Sequence, residues 1–305
     1  MKPIINHFKF ISMFFLILST LGHTKENDQA FLWKVQNRHI TVYLAGSIHA
    51  LNESHYPLSQ AYIDAYNNSQ NLVVELNVNA LNPIYSQALV QSKMWLPRNQ
   101  SLESHLSKDA LTSLKTFSIK NQTEYTRLIQ MRPWMVIEQL TGYQLKQTSL
   151  KAELGVDQYF LQLAKKDNKP ILELETLEQQ ISAIAHSPFE SQLEALEVSL
   201  EQLEDKEYLN KMIHFWRSAD PQGLYDFVYQ DVISHPKLAP MMNNLLDKRN
   251  KTMSDVITLY LNQPISNRNS YFVIVGALHF SGPNSIQTHL KNKGYFVQPM
   301  FTPIN

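Results

Sequence analysis

The chain has 305 residues, zero formal net charge and 44% hydrophobic residues, the make-up of a folded globular protein and not of a disordered one. With no long run of Lys or Arg, it carries no electrostatic footprint for nucleic acid or an anionic membrane. It has no cysteine, which excludes disulfides, a thiol nucleophile and thiolate-bound zinc or iron–sulfur clusters; any metal must be held by His, Asp, Glu, Asn or carbonyl oxygen.

The opening "MKPIINHFKFISMFFLILSTLGHTKEN" places Lys2 and Lys9 before an apolar run from Phe10 to Leu21, with small residues Ser19, Thr20 and Gly22 at its end. This pattern predicts a signal peptide over residues 1–22, because the run falls short of the roughly 20 apolar residues needed to span a bilayer. The expected product is an exported protein, periplasmic or secreted. It would have no stable membrane anchor after cleavage, and no lipoprotein cysteine follows the run.

Residues 23–305 read as a single α/β domain. "FLWKVQNRHITVYLAGSIH" predicts two strands around a polar Asn37–Arg38 turn, the second strand covering Ile40 to Ala45. A helix in "YPLSQAYIDAYNNSQ" and the short buried strand "NLVVELN" complete a strand–helix–strand unit. From about 83 to 263 the pattern is helical. Leu193, Leu196, Leu200 and Leu203, spaced by three or four residues within "FESQLEALEVSLEQLEDKEYLNKMIHFW", predict one amphipathic helix. Within this region a helix stops at Asp167–Asn168–Lys169, and "ILELE" predicts another central strand. The strand "YFVIVGALHF", the helix "NSIQTHLKNKG" and the strand "YFVQPM" close the chain.

The two ends resemble each other: each has a strand, then Gly-x-x-His, then a loop, a helix and a further strand. The expected architecture is a central mixed sheet built from two pseudo-duplicated halves with a large helical insertion between them. That arrangement would put both Gly-x-x-His turns at the carboxyl edge of one sheet, where open α/β sheets bind ligands. Gly46 and Gly276 permit sharp turns, so His49 and His279 project from rigid strand ends, as a metal ligand or base requires. Glu75, a carboxylate in the otherwise apolar strand "VVELN", is the candidate third ligand, and Glu75 and Glu175 are the candidate general bases for water. Strand alternation aims Glu173 and Glu175 at one face, where at least one needs a cation, a metal or a proton. Arg249 is read two ways: it binds a substrate carboxylate or developing oxyanion, or it pairs with a buried Glu. His55, six residues beyond His49, is a candidate substrate contact. The chain contains no His-Glu-x-x-His, Gly-x-Ser-x-Gly, Walker or dinucleotide-binding glycine motif.

These segments together resemble the TraB/GumN family, which includes the Tiki metalloproteases and the PrgY-type pheromone inhibitors. The likeness runs from about Phe31 to Met300. It rests on "LAGSIHALNESHYPLS", "VVELN", "MRPWMVIEQL", "GVDQYFLQLAKKDNKPILELETLEQQI", "LLDKRNKTM" and "FVIVGALHFSGPNSIQTHLKNKGY", in that order. The resemblance implies a fold related to the erythromycin-esterase and ChaN-like group and a divalent metal (Mn, Co or Zn) held by His49, His279 and Glu75. It also implies peptidase activity on a peptide or small-molecule substrate, with Glu175 as the second glutamate and Arg249 and Asn250 as a substrate-side pair. Ser47 stands where Thr is frequent, and Leu278 where a Gly commonly precedes the histidine. Two non-catalytic alternatives stay open: sequestration of a peptide or small ligand, and noncovalent haem binding.

Overall fold

The computed structural model of the chain describes residues 29–205, 207–264 and 269–302; the segment read as a signal peptide lies outside them. Strands β1 (Leu32–Asn37) and β2 (Ile40–Ser47) form the expected antiparallel hairpin. Its turn falls at Arg38–His39, one residue later than the polar pair suggested, with Arg38 in the left-handed region at φ 55°. Strand β3 (Asn71–Val74) follows the helix Gln60–Asn67. The remaining strands are β4 (Ile171–Glu173), β5 (Ser270–Gly276) and β6 (Val297–Pro299).

The six strands form one mixed sheet in the order β4-β3-β5-β2-β1-β6. β5 runs parallel to both β2 and β3, and β3 parallel to β4; the β1 pairings are antiparallel. β5 is buried along six of its seven residues, as a continuous Tyr-Phe-Val-Ile-Val run demands of a parallel strand covered on both faces. The "ILELE" strand corrects expectation: β4 is three residues long and lies at the sheet edge, with Glu173 exposed. The side-by-side position of the two Gly-x-x-His turns follows from the β2–β5 pairing alone, in which Ser47 lies opposite Gly276.

Helices between Pro83–Lys93 and Lys248–Leu261 form the interposed region. The expected long amphipathic helix is two, Phe189–Glu201 and Glu207–Arg217. At the start of the second, the Asp205 carboxylate accepts the Glu207 N–H at 2.8 Å. Among the described residues, most of the buried apolar side chains fall in two clusters. One surrounds the sheet, with Leu44, Phe160 and Phe272 among its members. The other lies among the helices, around Leu114, Val136, Leu140 and Leu196. Among the described residues no helix is long and apolar enough to cross a membrane.

Candidate functional site

At the carboxyl end of β2, the Gly46 carbonyl accepts N–H from Trp216 at 2.8 Å and O–H from Tyr62 at 2.9 Å. A Cβ at Gly46 would lie 2.5 Å from the Phe31 ring and 3.2 Å from Ala277 Cα, so only glycine lets the two turns approach this closely. His49 leaves this fixed end and its Nδ1 meets Asp157 Oδ2 at 2.7 Å. Asp157 Oδ1 accepts the Ser47 hydroxyl at 2.6 Å. Because the carboxylate can only accept, Nδ1 of His49 carries the proton.

Asp157 arrives through local chain logic. The helix Val156–Asp167 begins against the His49 loop, with Val156 N–H donating to Ile48 O at 3.0 Å. Asp157 sits in its first turn, where the helix dipole favours an anion. Gly155 makes the approach feasible, since a Cβ there would lie 2.3 Å from the His49 carbonyl oxygen.

His279, at the end of β5, is buried. Its Nδ1 lies 2.6 Å from Asn250 Oδ1, while Asn250 Nδ2 donates to Asn284 O at 2.9 Å. The amide orientation is therefore fixed and His279 Nδ1 donates. Its Nε2 lies 3.5 Å from Glu75 Oε1. Asn250, expected as a substrate contact, is 1% exposed and both ends of its amide are engaged; it positions His279.

Glu75 follows β3 and its two oxygens face different partners. Oε1 accepts the Gly276 N–H at 2.7 Å; Oε2 accepts Arg249 Nη2 at 2.8 Å and Gln180 Nε2 at 3.3 Å. Glu175, just past β4, is tied to the same place because its N–H donates to Glu75 O at 3.1 Å. Arg249 donates to Glu175 from Nε at 3.0 Å and again from Nη2, and to Leu245 O from Nη1 at 2.9 Å. A π-helical turn, Asn243–Asp247, precedes Arg249 in the chain and places that carbonyl within its reach. Of the two readings of Arg249, the structure displays the buried ion pair, with both glutamates. Glu173 is elsewhere: its carboxylate accepts the Asn77 N–H at 2.6 Å. His55 is also elsewhere, in a 3-10 turn where Nδ1 accepts the Asn52 N–H at 3.2 Å as half of a capping box; it does not line the cleft.

A Cβ built on Gly276 would lie 3.4 Å from both Glu75 Oε1 and His49 Nε2 and 3.7 Å from His279 Cδ2. Three side chains from β2, β3 and β5 thus converge on one point at the carboxyl edge of the parallel strands. Burial opposes charge on Glu75, but His279, Arg249, His49 and the Gly276 N–H outweigh it and hold the carboxyl down at about 2. Burial, with Arg249 and His49, lowers His279 to about 4 despite Glu75. Asp157 raises His49 to about 9 against the cost of burial. The cleft walls enclose His49, yet 72% of its side chain meets water, which screens that attraction.

The donor chemistry suits a divalent ion in part. Two ligands about 2.1 Å from a tetrahedral ion stand about 3.4 Å apart, so Glu75 Oε1 and His279 Nε2 are at ligand spacing. The Nδ1 bonds to Asp157 and Asn250 are the outer contacts that orient metal-binding imidazoles. His49 Nε2 lies across the Gly276 position, and among the described residues no three His, Asp or Glu groups already stand close enough to hold an ion.

This point borders two cavities. A cleft of about 660 Å³ is lined by His49, Glu75, Glu138, Glu153, Asp157 and Arg249 among others. A second cavity of about 380 Å³ shares His49 and Ala152 with the cleft and reaches Gly276 and His279.

The sequence model of the TraB/PrgY/gumN family matches residues 31–299. Among curated proteins, the chain is 27% identical over 256 residues to the uncharacterized protein YbaP of Escherichia coli (strain K12), covering 84% of this chain and 89% of that one. The uncharacterized YbaP of Shigella flexneri gives the same figures. No solved structure gives a significant match.

Proposed function

The chain belongs to the TraB/PrgY/gumN family, and we propose that it is an exported, divalent-metal-dependent hydrolase acting on peptides. The observation that carries this reading is the convergence of His49, His279 and Glu75 beside Gly276, with both imidazoles oriented from behind. In this reading His49 Nε2, His279 Nε2 and Glu75 hold the ion. When bound, the metal supplies a Lewis acid and a water of lowered pKa. Glu75 stays ionised, as an anionic ligand must. Glu175, itself held by Gln180, fixes Arg249 beside Glu75, and the guanidinium places positive charge next to where an oxyanion would develop. Asp157 and Asn250 keep the ring nitrogens aimed at the ion. Kinship with the erythromycin-esterase and ChaN-like group and descent from two duplicated halves belong to the same proposal, as does export to the periplasm or medium.

The test is purified mature protein offered a peptide library with manganese, cobalt or zinc, alongside elemental analysis. Cleavage should depend on metal and disappear in His49→Ala and His279→Ala. Normal cleavage by both folded variants ends the proposal. A second reading, capture of a peptide without turnover, is favoured by one observation: Arg249 is already paired with two carboxylates. Mass spectrometry of a peptide held for hours separates the readings, since a binder returns it intact.

A further inference from the structure

The second cavity differs in kind from the cleft. Its walls include Leu145, Met212, Ile213, Leu224, Leu246 and Leu278, and its few polar neighbours are largely committed. Ser47 donates to Asp157 and His279 to Asn250. Such a space offers water few partners and favours an apolar occupant. It is not a remote void: His49 and Ala152 border both cavities, and the Gly276–His279 turn forms part of its wall. A group seated there adjoins the point where His49, His279 and Glu75 converge, while anything attached to it extends into the polar cleft.

We infer that this chamber is a specificity site that takes one bulky apolar group of the substrate, so that the ligand is amphipathic with its polar portion in the carboxylate-lined cleft. A water-sized group occupies about 30 Å³, so about 380 Å³ accommodates roughly ten non-hydrogen atoms. That is the size of an indole side chain or a medium-length acyl chain. The two share one chemistry and come from different sources, an apolar residue or an acyl modification. The inference rests on the proposed function only for the word substrate; the chamber's preference is a binding property.

The experiment uses the metal-free full chain and measures binding of two peptide series by fluorescence polarisation. One series carries amino-terminal caps from acetyl to decanoyl on a polar peptide. The other varies a single internal residue through Gly, Ala, Leu, Phe and Trp. Affinity should rise about fourfold per added methylene until the chamber fills and then level off. Met212→Trp, which fills the chamber from the half-buried Met212, should weaken the longest ligands at least tenfold and leave the shortest unchanged. Leu145→Ala should move the plateau to longer groups, an opposite shift that misfolding cannot imitate. A response in the acyl series alone identifies an acylated ligand; a response in the residue series alone identifies an apolar side chain. Affinity independent of apolar size in both series, or unaffected by either variant, overturns the inference. With manganese, cobalt or zinc then added, turnover that ignores the apolar group also overturns it, whereas size-dependent binding with no turnover in the presence of metal leaves it standing and defeats the hydrolase reading instead.

Discussion

Replacing Arg249 with Met removes one charge from between two carboxylates while keeping most of the side-chain volume. The guanidinium bonds Glu75 at 2.8 Å and bonds Glu175 twice, and the side chains of Arg249, Glu75 and Glu175 are only 17%, 13% and 5% exposed. Removing one partner of a buried charge network leaves the others uncompensated and typically costs about 3–5 kcal/mol. Here two anions remain and face each other, so the upper half of that range is expected near neutral pH. The remedy open to the variant is to bind a proton, which would lift Glu75 well above its native value of about 2. Denaturant unfolding should therefore show a large loss near neutrality that shrinks as the pH falls through the carboxylate range. Arg249→Met/Glu175→Gln should recover much of the stability, because one of the two stranded charges is gone. A loss below about 1 kcal/mol with no pH dependence would refute the reasoning, since exposed pairs behave that way.

Three further outcomes are expected. Gly155→Ala forces a Cβ to within 2.3 Å of the His49 carbonyl, and should cost several kcal/mol by thermal unfolding and abolish metal uptake. Asp157→Asn keeps the shape beside His49 but loses the anionic acceptor, so titration calorimetry should find metal affinity reduced about 10–100-fold. The metal-free protein should lose stability as pH falls from 6.5 to about 4. His279 is held neutral in the fold until about 4, so across that window the unfolded chain binds a proton the folded chain does not. Burial is the first cause, and His279→Gln should remove the His279 share of that slope, about 1.4 kcal/mol per pH unit at most, leaving below about pH 5 the share of Glu75, whose carboxyl is likewise held down.

What the sequence made legible were features with a local signature. Gly-Ser-Ile-His and Gly-Ala-Leu-His each end an apolar strand, and a carboxylate among Val73, Val74 and Leu76 announces itself by its setting. The alternation of "ILELE" requires a partner for at least one of Glu173 and Glu175, and a buried Glu is one of two readings of Arg249; in the fold Arg249 pairs with both Glu175 and Glu75. Asp157 is not legible in "GVDQYF", because its partner His49 lies 108 residues away and the helix start at Gly155 brings them together. A Gly followed two residues later by an acid at a predicted helix N-terminus is the signal that pointed there. The sequence around Asn250 suggests a substrate contact because nothing local reveals that its amide is consumed by His279 and Asn284. The "ILELE" pattern fits an edge or a central strand equally well; the exposed Glu173 decides it, and exposure is a property of the assembled sheet. The Leu-rich run suggests one helix because its spacing continues into Leu203, whereas the first helix ends at Glu201 and the next begins at Glu207.

The placement of β5 has a consequence for how the protein comes into being. The fifth strand in sequence is third in the sheet, between β3 and β2. While a ribosome is still translating the helical region, β2 and β3 have no strand to pair with in the gap between them. The strand ends that carry His49 and Glu75 therefore cannot be bridged until residue 276 has been made. Contacts of such long sequence separation form slowly. A nascent chain released early would expose two unpaired strand edges and carry His49 without His279. Completion of the sheet and the meeting of His49, Glu75 and His279 are the same late event, and until then the open strand edges are templates for wrong pairing.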